Sequence, residues 1–123
     1  MTIAIIQTAS ASHRQAWYGQ DMLLSWVSLD LEPQLVLCVD AIDHLRVGCD
    51  QLRHGKSLQK RYQLLELYDA PTPWVVHDLE LIPASEWIIP VEQISSNALV
   101  QRLAQFNKIL HFNPDDSTRL ADV

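Results

Sequence analysis

The sequence predicts a single α/β domain of three layers, with a mostly parallel five-stranded sheet between helices. Three observations carry this. The length, 123 residues, suits one domain. Apolar residues make up 48% and charged residues 20%, near the soluble globular average, which excludes a disordered chain. Short, continuous apolar runs alternate with stretches of helical periodicity, the pattern of parallel strands covered on both faces. The domain is expected over residues 1–113, with 114–123 a polar, frayed tail.

Residues 3–6, Ile-Ala-Ile-Ile, read as the first strand, and Thr8 to Ser12 as a loop of small residues. Over 15–29, Ala16, Gly19, Leu23, Trp26 and Val27 share one helical face, and Trp17 and Leu24 lie on another. Glu32-Pro33 breaks the chain. Residues 35–39 form a second buried strand, followed by a short helical piece over 41–46 and a loop over 48–56. Ser57 is placed to cap a helix reaching residue 68, with Leu58, Tyr62 and Leu65 inward. After Pro71 and Pro73 comes a third strand over 74–77, then a short fourth over 87–89, closed by Pro90. Ser95 or Ser96 caps the last helix, with Leu99, Leu103 and Phe106 inward, and residues 108–112 are the final strand. In such sheets ligands bind beyond the carboxyl ends of the strands, here after Ile6, Val39 and Val76.

Charge and composition narrow the function classes. The net charge of −6 argues against a dedicated nucleic-acid binder, so no direct nucleic-acid contact is expected. With 3 Gly, collagen-like and Gly-linker readings are excluded. No stretch approaches the roughly 18 apolar residues of a membrane span, and the first residues lack the basic region of a signal peptide. Cys38 and Cys49 are the only cysteines, at a spacing unlike any zinc motif. A cytoplasmic protein that works away from membranes is the expectation.

Four segments carry a family resemblance. They are the first strand with its small-residue loop, Ala4 to Ser12; Gly19-Gln20-Asp21-Met22-Leu23-Leu24; Gln63-Leu64-Leu65-Glu66-Leu67-Tyr68-Asp69; and Asn107 to Phe112. In this order and spacing, over about residues 3 to 112, the chain resembles the DsrE/DsrF-like sulfur-relay family, above all its TusC/DsrF branch. The resemblance implies the DsrE-like fold and a place beside related DsrE/TusD-like and DsrH/TusB-like subunits, in a hetero- or homo-oligomer. Complexes of the TusBCD and DsrEFH types pass persulfide sulfur between cysteines, towards 2-thiouridine in tRNA or within sulfur oxidation. The family's reactive cysteine follows the third strand. Here that position reads Val76, His77 and Asp78, so no catalytic cysteine is carried over and the chain is expected to be a structural or docking subunit.

The remaining chemistry leaves alternatives. Cys38, between Leu37 and Val39, reads as a small core residue. Cys49 lies in a loop with Arg46, Arg53, His54 and Lys56 nearby in sequence, cations that favour a thiolate, though Asp50 opposes them. It is either a reactive thiol, which would make the chain a self-sufficient persulfide sulfurtransferase, or an ordinary loop thiol. Arg46, Arg53, Lys56, Lys60 and Arg61 are five of the nine Lys and Arg residues, so this stretch is basic within an acidic chain. It is a docking patch for an acidic partner or phosphate, or a solvated face. His77 is a polar contact or a packed structural residue. Trp17 and Trp87 pack locally or across a subunit interface.

Two cofactor readings fail on the residues. The Thr8 to Ser12 loop is similar to a flavodoxin phosphate loop in its hydroxyls but lacks the glycine needed for close backbone approach. It remains a candidate for a small anion-binding module. A receiver domain needs acidic residues after the first strand to hold magnesium, and Gln7-Thr8 stands there. No cofactor and no metal are expected.

Overall fold

Five strands run parallel in one sheet, whose central strands are apolar on both faces. The structure, a computed structural model, describes residues 2–114. The elements are β1 (Ile3–Gln7), α1 (Arg14–Ser28), β2 (Gln34–Cys38), a 3₁₀ helix (Val39–Leu45), β3 (Leu52–Arg53), β4 (Lys56–Ser57), α2 (Leu58–Tyr62), α3 (Leu64–Leu67), β5 (Trp74–Val76), a 3₁₀ turn (Ala84–Glu86), β6 (Glu92–Ile94), α4 (Ser96–Leu103) and β7 (Lys108–Phe112). The sheet order is β6-β5-β2-β1-β7, every neighbouring pair parallel. The predicted α/β class and five-stranded parallel sheet therefore stand. Residues of the expected tail beyond 114 lie outside the described residues.

Alternation along the strands sorts the core into two layers. Ile5, Leu35, Leu37 and Val75 pack on one face with Leu23 and Val27 of α1, Leu58 and Tyr62 of α2 and Leu65 of α3. Their odd–even neighbours Ile6, Val36, Val76 and Ile94 face the other way, against Ala98, Leu99 and Leu103 of α4. Each fully buried aliphatic side chain contributes roughly 1.5–3 kcal/mol.

Local signals set the helix ends. His13 caps α1 by accepting the Gln15 N–H at Nδ1, 3.1 Å away. Ser57 caps α2 and Ser95 caps α4, each hydroxyl accepting an N–H three residues on.

Four local expectations are corrected. The fourth strand is Glu92–Ile94, not residues 87–89. Trp87 only bridges Arg46, and its neighbour Ile88 donates its N–H to Leu45 O, so this apolar run is a loop that lowers Trp87 and Ile89 into the core. The helix expected from Ser57 to residue 68 breaks at Gln63 into α2 and α3. The loop over 48–56 contains the β3–β4 hairpin, turned through His54 and Gly55 at φ 52° and 76°. Finally, Val39 leaves the second strand to begin the 3₁₀ helix.

Candidate functional site

The carboxyl ends of β2 and β5 lie side by side, with Cys38 in register with Val76. This is where the fold positions ligands, and where catalytic relatives are expected to hold cysteine. His77 follows β5. Its Nδ1 accepts the Leu79 N–H at 3.2 Å, and its Nε2 donates to Gln93 Oε1 at 2.8 Å. Gln93 in turn clamps Ile82, accepting its N–H at 2.8 Å and donating to its carbonyl at 2.7 Å. Asp78 accepts the Ser96 hydroxyl at 2.7 Å and the Ser96 N–H at 3.0 Å. These bonds, the hydroxyl first, hold its carboxyl below the usual carboxylate range. Both polar side chains after β5 thus tie the β5–β6 connection and the start of α4 together. A cavity of about 270 Å³ opens beside His77, Leu79, Leu81 and Gln93, and no thiol lines it.

Cys38 is half-buried, and burial pushes its thiol up to about 11, so it stays protonated at neutral pH. Its neighbour Val39 has φ 55°. A β-branched residue in the left-handed region is strained by on the order of 1–3 kcal/mol. Val39 gains nothing from packing, being 70% exposed, and with Leu79 at 85% and Leu81 at 77% it leaves uncovered apolar side chains on the segments that leave β2 and β5.

The loop after β1 is bonded internally. Thr8 Oγ1 bonds Asn113 Oδ1, and the Ser10 and Ser12 hydroxyls meet at 3.0 Å. The carbonyls turn inward, Ala11 O accepting Trp17 Nε1 at 3.1 Å and Ala9 O accepting His44 Nε2 at 2.8 Å. The Thr8 hydroxyl and one of the two serine hydroxyl protons are therefore engaged within the chain.

His44 escapes sequence reasoning. It is fully buried, and its Nδ1 accepts the Tyr62 hydroxyl at 3.0 Å. Burial lowers its pKa to about 4, against a smaller opposing effect from the Ala9 carbonyl. The imidazole thus pins the β1 loop and α2 to the 3₁₀ helix as a neutral ring. A signal existed: Ala41 and Leu45 mark the inner face of that helix, and His44 falls on it.

The five cations of the basic stretch separate. Arg46 pairs with Glu86 at 3.3 Å. Lys60 lies electrostatically near Asp50, whose carboxyl burial would raise but bonds from Ser57, Gln59 and Gln51 hold low. Arg53, Lys56 and Arg61 instead line one groove with Trp17, Tyr18 and Asp21. Cys49 is half-buried, its N–H donated to Arg46 O, and it does not line that groove. Trp17 and Trp87 are 6% and 7% exposed, so the chain's own core takes both rings and neither offers an open aromatic face.

No metal cluster is needed to explain these contacts; among the described residues no three His, Cys, Asp or Glu side chains are arranged to hold an ion. Nor is any described helix long and apolar enough to cross a membrane. The arrangement at the carboxyl edge holds backbone and offers surface.

No protein-family model matches the chain. The ychN protein of E. coli, in its crystal structure, superposes with a TM-score of 0.71 over 90% of this chain and 97% of that one, at 16% identity, a likeness of fold. Two proteins named TusC align over 102 residues, 76% of this chain and 83% of theirs. The one from Klebsiella pneumoniae strain 342 is 34% identical, and the one from Klebsiella pneumoniae subsp. pneumoniae strain ATCC 700721 / MGH 78578 is 31% identical. With this identity spread over most of both chains, on a sheet that matches the family's fold, the chain belongs to the DsrE/TusC-like family.

Proposed function

We propose that the chain is a non-catalytic docking subunit of a cytoplasmic sulfur-relay complex of the TusBCD or DsrEFH type. The observation that carries this reading is the end of β5, where Val76, His77 and Asp78 stand and both polar side chains are spent on bonds within the chain. A persulfide carrier needs an accessible, ionisable thiol. Cys38 is held protonated by burial, and of the cations expected around Cys49, Arg46 pairs with Glu86 while Arg53, His54 and Lys56 line a groove that Cys49 does not. The subunit's work is then to shape the surface beside a partner's cysteine, in persulfide transfer towards tRNA 2-thiouridine or in sulfur oxidation. Its partners are DsrE/TusD-like and DsrH/TusB-like chains, and alone it forms a homo-oligomer. Support for a docking role comes from Leu79 and Leu81, exposed apolar side chains next to the unused site.

Assembly tests this. Co-expressed with related chains from its own genome, the protein should purify within a larger complex of defined native mass. Changing both Leu79 and Leu81 to Asp should leave the fold intact and weaken that association at least about tenfold, since losing one buried leucine contact is worth about 1.5 kcal/mol or more. A monomer at high concentration, indifferent to those partners, would refute the proposal.

A further inference from the structure

Three cations that the proposed docking role does not use converge on one groove. Arg53 and Lys56 face each other across the β3–β4 hairpin, in register on either side of the two-residue turn. Like charges directly opposite repel, and among the described residues neither has an acidic partner. The third cation, Arg61, comes from α2 and is fixed: Asp21 pairs with it, and its guanidinium carbon lies 5.7 Å from the Trp17 ring centroid. Across from the hairpin, Tyr18 and Asp21 share a face of α1 three residues apart. Tyr18 is 52% exposed and lines the groove, which holds about 340 Å³. That volume falls in the range of small-ligand sites.

We propose that this groove binds a mononucleotide, its phosphate between Arg53, Lys56 and Arg61 and its base laid on Tyr18. An oxyanion between Arg53 and Lys56 removes their mutual repulsion, and an Arg already held in place loses little freedom in completing the contact. The Tyr18 ring provides a stacking platform that tolerates any base. Asp21, whose Oδ1 pairs with Arg61, supplies its other carboxylate oxygen as an acceptor for ribose hydroxyls. Inorganic phosphate would leave Tyr18 and most of the volume unused. A long polyanion is disfavoured by the rest of the surface: the chain carries −6 overall, and the field of this basic stretch is screened beyond about 8 Å at physiological salt. This inference is independent of the sulfur-relay reading, since none of its residues lies at the β5 end.

The test is titration of the full-length chain with AMP, adenosine and inorganic phosphate, followed by amide chemical shifts and calorimetry. AMP should saturate, with the shifts centred on Tyr18, Asp21 and the β3–β4 turn. The double change Arg53→Gln and Lys56→Gln, on exposed or half-exposed side chains, should weaken AMP at least about tenfold. Tyr18→Ala should weaken AMP by about tenfold and leave inorganic phosphate unaffected. Circular dichroism of each variant verifies the fold. Failure of AMP to saturate overturns the proposal. So does equal binding of AMP by wild type and Tyr18→Ala, which reduces the groove to a non-selective anion contact. Tighter binding of a single-stranded oligoribonucleotide or a Glu-rich peptide that displaces AMP also overturns it, reassigning the groove to a polyanion.

Discussion

Gly19→Ala should destabilise the protein by about 1–3 kcal/mol, although alanine in a helix interior normally gains about 1 kcal/mol over glycine. Gly19 lies inside α1, where it faces β1 and β7. A Cβ there would stand 2.8 Å from Gln7 Cδ and 2.9 Å from Phe112 Cγ, and would also collide with Gln7 Nε2. Gln7 is fully buried and cannot swing into solvent, and its Nε2 donates to Ala16 O at 3.0 Å. The added methyl either pushes the helix off the sheet or breaks that bond. Overpacking costs about 1–3 kcal/mol and a broken buried hydrogen bond another 1–3 kcal/mol. Urea unfolding of wild type and variant measures the difference. A variant as stable as wild type, or more so, would show that the helix sits farther from the sheet than described.

Acid should weaken the fold through His44. Its native pKa is about 4, below the ordinary value of 6.5. Between these values the unfolded chain binds the proton and the folded chain does not. The contribution is therefore fully present above pH 6.5, is lost as pH falls towards 4, and changes no further below that. The gap corresponds to on the order of 3 kcal/mol. His44→Gln can donate to Ala9 O and accept from Tyr62, but it does not titrate. Urea midpoints at pH 7 and pH 4.5 should differ much less for this variant than for wild type. An unchanged pH dependence would mean that His44 is not the group responsible.

These two residues mark the limits of what the sequence made legible. Strands β1, β2 and β5 could be read because a parallel strand buried on both faces is a continuous apolar run, and β7 because Ile109, Leu110 and Phe112 keep an apolar pattern although Lys108 and His111 are exposed. The edge strand β6 could not, since Glu92 and Gln93 are polar and the apolar Trp87-Ile88-Ile89 nearby imitates a strand. Gly19 could be read as part of a family-like segment and as an inward-facing residue, but not why glycine is required; that depends on Gln7 and Phe112 from two distant strands. The break at Gln63 leaves no local trace, because neither proline nor glycine interrupts the helical pattern of 58–67.

The site was legible in part. The lack of cysteine after β5 is a fact of sequence, but the bonding of His77 to Gln93 and of Asp78 to Ser96 requires β6 and α4 to be in place. The basic stretch was visible as composition. Only the hairpin turn and the packing of α1 divide it, sending Arg46 to Glu86 and gathering Arg53, Lys56 and Arg61 into one groove. Trp17 and Trp87 stay open between local packing and a subunit interface in the sequence, which cannot say which of two helix faces, or which side of a loop, the chain itself will cover.

The central claim is that this subunit carries no sulfur of its own. The direct measurement is persulfide flux through the reconstituted complex, with this subunit as wild type, as Cys49→Ser, as Cys38→Ser with Cys49→Ser, or omitted. Both cysteine variants should give wild-type flux, and omission should reduce it because the assembly loosens. Loss of flux from Cys49→Ser in a complex of unchanged native mass would contradict it and make Cys49 the carrier.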